Sequence, residues 1–232
     1  MKSIFNLLAV CLFALVQAHT VWLETKSTAS QNQKHEVKVF FGELDSPTPT
    51  AKWFSDIKDI KIKVVSPSGK EFILDKTQQE KYYSGIFNTD EKGVYTISVN
   101  HLVKDTHRKM KITYQSVAFV NVGSKGASSE KIFGAEPVQI GMNTLVPQVK
   151  ETKALKLYKQ GKAVAKEKSV IKADNGWEMT LRTNENGDAT FNPLWKGKYL
   201  VEYPFSEKVN GTHNGQEYDT DYKMITYLVD VQ

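Results

Sequence analysis

Apolar and polar residues alternate with a period of two along most of this chain. The clearest stretches are residues 37–41, 60–64, 94–99, 110–114, 155–157, 177–181 and 225–231. Alternation over four to eight residues, bounded by clusters of Gly, Pro, Asn and Asp, is typical of strands with one buried face. Helical periodicity is weak, and the best helix candidate is a turn or two around residues 78–83. The pattern therefore predicts an all-β protein made of β-sandwiches rather than βαβ units.

The N-terminus has the features of an export signal. Lys2 precedes an apolar run over residues 7–16, which is too short to span a hydrocarbon core of about 30 Å. Val16 and Ala18 stand at the two positions where signal peptidase requires small residues. We therefore predict a signal peptide that is cleaved after Ala18 and a periplasmic mature chain that starts at His19.

The rest of the chain is long enough for two small domains of the usual size, about 100–150 residues. Its most linker-like stretch is the Gly/Ser-rich segment 123–129. We therefore predict one β-sandwich over residues 19–123 and a second over residues 136–232.

Composition excludes several kinds of function. Lys and Arg number 31 against 26 Asp and Glu, and this small excess is spread along the chain, so nucleic-acid binding is not predicted. The single cysteine, Cys11, lies in the predicted signal peptide, so the mature chain has no disulfide, cysteine zinc site or cysteine nucleophile. The sequence also has no HExxH motif and no Gly-x-Ser-x-Gly elbow.

His19 is the first residue with candidate metal chemistry. At a mature N-terminus, its α-amine and its ring Nδ1 can chelate one metal ion together. The amine must be neutral to bind, and α-amino groups with ordinary pKa values of about 7.7–8.0 reach that state near neutral pH. Nitrogen donors suit nickel, copper and zinc better than magnesium or calcium. Alternatively, His19 simply follows the cleavage site and binds nothing.

Four further histidines are candidate ligands. His35 opens a predicted strand in phase with its apolar face, and His101 ends another. His107 lies in a basic, loop-like stretch, and His213 in a Gly-rich loop. Each of the four also fits an ordinary core or surface role, because no His-x-His pair or other ligand spacing connects them.

Several short motifs, in order, resemble a known family. They are His19-Thr20-Val21-Trp22-Leu23-Glu24, the strand 36–43 that ends in Phe-Gly-Glu, Asn175-Gly176-Trp177 with 183–187, Pro193-Leu194-Trp195 through Tyr199, and the loop 213–219. The sequence resembles the exported bacterial proteins grouped under DUF4198. Members of that family occur beside nickel and cobalt energy-coupling-factor transporters, where one is an accessory periplasmic component of a nickel uptake system.

The resemblance implies a two-part β architecture. Its first half would be an immunoglobulin-like sandwich, and its second half would resemble transthyretin or carboxypeptidase-regulatory sandwiches. Because members of the family occur beside metal transporters, the resemblance implies metal handling, but it does not fix the ligand set. Where the family's motifs match this sequence, the resemblance favours His19 and His213 as metal ligands. His35, His101 and His107 are candidate ligands only because imidazole can bind a metal.

The leading hypothesis is an exported, non-enzymatic metal-binding protein that assists nickel or cobalt uptake. His19 would hold the ion, and a membrane transporter of the energy-coupling-factor type is the expected partner. Copper and zinc are also possible ions, and copper would bind such a site more tightly by the Irving–Williams order. The alternatives are a copper-dependent oxidative enzyme of the polysaccharide monooxygenase kind and a structural or adhesive β-sandwich without a ligand.

Overall fold

The computed structural model describes residues 19–123, 138–145, 147–159 and 161–232. The predicted signal peptide, and the predicted linker beyond Gly123, lie outside the described residues.

Strands are the main regular structure of the described residues, as the alternating pattern predicts. The strands are β1 (Thr20–Glu24), β2 (Thr28–Ala29), β3 (Lys34–Gly42), β4 (Lys63–Val65), β5 (Glu71–Ile73), β6 (Lys76–Gln78), β7 (Tyr82–Asn88), β8 (Gly93–Leu102), β9 (Met110–Val122), β10 (Val138–Met142), β11 (Lys153–Lys159), β12 (Lys162–Ala163), β13 (Lys168–Ala173), β14 (Glu178–Arg182), β15 (Asp188–Phe191), β16 (Gly197–His213) and β17 (Gln216–Val231). Two 3-10 turns, Thr50–Lys52 and Ile57–Asp59, separate β3 from β4. Within the described ranges, no helix is long and apolar enough to cross a membrane.

The strands form three sheets. The N-terminal sheet has the order β1-β3-β7-β6, and the C-terminal sheet has the order β10-β11-β12 with β15 also beside β11. The shared sheet has nine strands, in the order β14-β13-β16-β17-β9-β8-β4-β5 with β2 beside β9. Within it β17 lies parallel to β9, from Thr220 opposite Met110 to Tyr227 opposite Val117.

Two hydrophobic cores lie between these sheets, which confirms the predicted β-sandwich class. The first core joins inward residues of the N-terminal sheet, such as Val39 and Phe41, to Ile97 of the shared sheet. The second joins Leu157 of the C-terminal sheet to Tyr199, at the other end of the shared sheet. Alternate residues of the strands that face a core enter it because successive side chains point to opposite faces.

The two halves of the chain are connected by more than the segment between them. Strands from before residue 123 and from after residue 138 pair within the shared sheet. A third buried cluster, Trp22, Phe40 and Leu200, joins the N-terminal sheet to β16. We call this cluster the seam. Independent folding of the two predicted domains, 19–123 and 136–232, stays a prediction.

The helix predicted around residues 78–83 is wrong. Gln78 ends β6 and Tyr82 begins β7, and the Gln79 N–H donates to the Tyr82 carbonyl across a tight turn at 2.8 Å. Tyr83, Gly85 and Phe87 are buried whereas Ile86 and Asn88 are exposed, and this alternation has the period of a strand, not of a helix.

The predicted Gly-rich loop around His213 is also shorter than expected, because β16 continues through His213. Only Asn214 and Gly215 turn, both with positive φ of 49° and 78°. Two positive φ angles in succession are what a two-residue hairpin turn requires.

Candidate metal centre

His19 lies immediately before β1 and beside the end of β3. Its imidazole is exposed and packs on the Phe41 ring, with the ring centroids 5.5 Å apart. Thr20 pairs with Gly42 in the antiparallel register. The next residue outward on each strand is therefore His19 on one side and Glu43 on the other.

Gly42 fixes the backbone from which Glu43 leaves β3. Its φ is +127°, and a Cβ added there would lie 2.6 Å from the Thr48 backbone nitrogen. The chain folds back at once, since the Thr48 N–H donates to the Phe41 carbonyl at 2.8 Å. Only glycine accepts both this φ and this close approach.

The Glu43 carboxylate is largely buried beside His19. Its side chain is 13% exposed, and Oε2 lies 3.8 Å from Lys172 Nζ. The other oxygen, Oε1, is buried and has no hydrogen-bond partner among the described residues. Burial raises the pKa of Glu43, although the positive charges of Lys172 and His19 oppose that rise. A buried polar atom without a partner is unusual and often marks the place of an ion or a water.

Lys172 and Glu202 extend the charged group that begins at Glu43 into a cavity. Lys172 Nζ lies 2.9 Å from Glu202 Oε2, and the Glu202 side chain is only 7% exposed. Burial raises the pKa of Glu202, and the nearby Lys172 ammonium only partly offsets that effect. Together with Glu43, these residues line a cavity of about 420 Å³ whose walls include Trp177 and Tyr222.

The donors at the start of β1 fit a transition metal. After cleavage at Ala18, the His19 amine and Nδ1 would supply two nitrogens, and Glu43 one carboxylate oxygen. Mixed nitrogen and oxygen donors suit Ni(II) and Cu(II), and imidazole also suits zinc. Among the described residues, no group of three or more His, Cys, Asp or Glu side chains is arranged to hold a metal ion. The α-amine is therefore needed as a third donor.

The other candidate histidines have partners of their own. His35 is buried, its Nε2 lies 2.7 Å from Thr25 Oγ1, and its ring packs against Phe87. Burial lowers the pKa of His35, since the charged imidazole loses solvation. These contacts match an ordinary core histidine.

His101, His107 and His213 lie around the connection from β8 to β9. His101 Nε2 lies 3.2 Å from Asp56 Oδ1, and His213 Nε2 lies 2.9 Å from the Val103 carbonyl oxygen. His107 is exposed in a turn that its backbone closes with Met110. The described contacts join none of the three to His19, and a ligand role for them stays a prediction.

Sequence reasoning missed Glu43, Lys172 and Glu202. One signal was available for Glu202, because it is a carboxylate within the apolar strand Leu200-Val201-Glu202-Tyr203. Such a residue is rarely buried unless it is paired. No local pattern connects it to Glu43, 159 positions earlier by the numbering of the sequence.

The profile described as "Domain of unknown function (DUF4198)" matches residues 16–206. The chain belongs to the DUF4198 family. The DUF4198 match includes His19, Glu43, Lys172 and Glu202, but it ends before His213. A comparison with curated proteins finds no match. Membership of DUF4198 itself assigns no activity.

Proposed function

We propose that this DUF4198 protein is an exported metal-binding protein that assists nickel or cobalt uptake, with the ion held at the mature N-terminus. The observation that carries the proposal is the buried Glu43 Oε1, which has no partner among the described residues and belongs to the side chain next to His19. An N-terminal histidine beside a partly desolvated carboxylate is a suitable donor set for a divalent transition metal.

The proposed site is suited to transfer rather than permanent storage. His19 is exposed, so an ion held there stays accessible to a second protein. Three donors leave at least one position of a four-coordinate ion open for water or for a ligand from the partner. A membrane transporter of the energy-coupling-factor type is the proposed partner, on the strength of the family resemblance.

Calorimetric titration of the metal-stripped mature protein with Ni(II) and Co(II) tests the proposal. Intact mass must first verify that the chain starts at His19. We expect one ion per chain, and at least about tenfold weaker binding for His19→Ala, which corresponds to ~1.4 kcal/mol. Glu43→Gln should also weaken binding, since it removes a charge while conserving the shape of the side chain.

His107→Ala is the matched control, because it removes an exposed imidazole that lies on a turn. If the ion is held at the N-terminus alone, this variant should bind like the wild type, whereas weaker binding would make His107 a ligand. If His19→Ala binds as tightly as the wild type, the N-terminal site is wrong.

A further inference from the structure

We propose that Lys172 is a built-in competitor for the metal: in the metal-free protein its ammonium is shared between Glu43 and Glu202, and when the ion binds it moves wholly to Glu202. This inference rests on the proposed metal site at His19 and Glu43. In this proposal, Lys172 and Glu202 together determine how readily the site releases its ion.

Lys172 lies between the two carboxylates at unequal distances. Its Nζ is 3.8 Å from Glu43 Oε2 and 2.9 Å from Glu202 Oε2. Lys172 and Glu202 are neighbours across β13 and β16, because Lys172 pairs with Leu200 and Val170 pairs with Glu202. Glu43 belongs to neither strand and directly follows the last residue of β3, Gly42.

Charges in this cavity affect one another strongly because they are poorly solvated. The exposed fractions of the three side chains are 13% for Glu43, 27% for Lys172 and 7% for Glu202. Partly buried charges are screened by salt much less than exposed ones. A divalent ion at Glu43 would therefore be repelled by the Lys172 ammonium, which lies on the same carboxylate.

Glu202 is placed to relieve that repulsion. It already makes the shorter contact with Lys172, so a small shift of the flexible lysine transfers its charge wholly to Glu202. Glu43 Oε2 is then free of its contact with Lys172, and Glu43 can donate one oxygen to the ion without that competing charge. Lys172 should consequently weaken metal binding, whereas Glu202 should strengthen it without touching the metal.

Substitutions of Lys172 and Glu202 should change metal affinity in opposite directions, and this distinguishes the proposed competition from a purely structural ion pair. If the pair only supported the fold, loss of either partner would perturb the site in the same direction. Single substitutions of Lys172 and of Glu202 therefore separate the two interpretations.

The experiment measures Ni(II) affinity by calorimetry and Ni(II) release by stopped-flow transfer to EDTA. Lys172→Met should bind Ni(II) at least about tenfold more tightly than the wild type and release it more slowly. Lys172→Arg keeps the charge and should stay within about threefold of the wild type. Glu202→Gln should bind more weakly, because Glu43 is then the one carboxylate left in ion-pair contact with Lys172 among the described residues, with Glu178 acting on it only as a more distant charge.

The double variant Lys172→Met/Glu202→Gln guards against a folding defect from an uncompensated carboxylate. It should also bind more tightly than the wild type, and far-UV circular dichroism of each variant verifies the fold. If Lys172→Met and the double variant bind Ni(II) no more tightly than the wild type while His19→Ala abolishes binding, the competitor role is wrong and the metal site stands. If His19→Ala has no effect, both proposals are wrong.

Discussion

Trp22 should contribute more to stability than any exposed tryptophan, because it fills the seam between the N-terminal sheet and β16. Its side chain is fully buried, and its ring stacks on Phe40 with centroids 5.2 Å apart and planes 9° apart. Its Nε1–H donates to Glu24 Oε1 at 3.1 Å. Truncation of such a side chain, Trp22→Ala, should cost about 3–5 kcal/mol of unfolding free energy.

Two further variants help to interpret that loss of unfolding free energy. Trp22→Phe keeps most of the packing but loses the hydrogen bond, so we expect about 1–2 kcal/mol. Trp195→Ala is the matched control: Trp195 is 43% exposed, and the loss should be about 1 kcal/mol at most.

The assay is urea unfolding followed by circular dichroism at 25 °C. Adding Leu200→Ala completes a double-mutant cycle across the seam, since Leu200 is fully buried in the same cluster. Residues that share a cluster should show a coupling of about 0.5–3 kcal/mol. A cost for Trp22→Ala no greater than that of Trp195→Ala, or a coupling near zero, would refute the seam as a packed contact.

The remaining predictions concern pH, the backbone and export. Burial lowers the pKa of His35, so below about pH 6.5 the unfolded chain binds more protons than the folded one, and stability should fall by up to about 1.4 kcal/mol per pH unit. Urea titrations between pH 5 and 7 check this, and an equally steep fall in His35→Gln would contradict it. Gly42→Ala should cost about 1–3 kcal/mol and weaken Ni(II) binding, whereas Gly215→Ala, with φ of +78° but no atom within 4 Å, should cost less in the same unfolding assay. Intact mass of the exported protein should correspond to a start at His19, and a lipidated start at Cys11 would contradict the predicted cleavage.

The alternating pattern was sufficient to predict the fold class. Val37, Val39 and Phe41 enter one core because a strand has a period of two, and that period is visible in the sequence. The partners of each strand are not visible there. β17 lies beside β9 across more than a hundred residues, so its parallel register depends on the packing of whole sheets.

The helix predicted around residues 78–83 failed for a local reason. The polar residues between Gln78 and Tyr82 form the turn from β6 to β7. A short polar stretch of this kind is as compatible with a turn as with the end of a helix. Only the pairing of Gln78 with Tyr83 decides between the two.

The candidate site was predictable only in part. His19 was singled out from the predicted cleavage pattern, which would make it the N-terminal residue. Glu43, Lys172 and Glu202 are far apart in the sequence, and only the folded sheets bring them together. Their distances, rather than any motif, suggest how the bound ion would be released.

The central claim is that the α-amine and imidazole of His19 hold one metal ion. The most direct test is Ni(II) calorimetry at pH 7.5 on the mature protein before and after selective acetylation of its α-amine. Acetylation keeps every side chain but removes one chelating nitrogen. We predict one Ni(II) per chain before acetylation and at least about tenfold weaker binding afterwards, the loss of ~1.4 kcal/mol or more. Unchanged affinity after acetylation would contradict the N-terminal site.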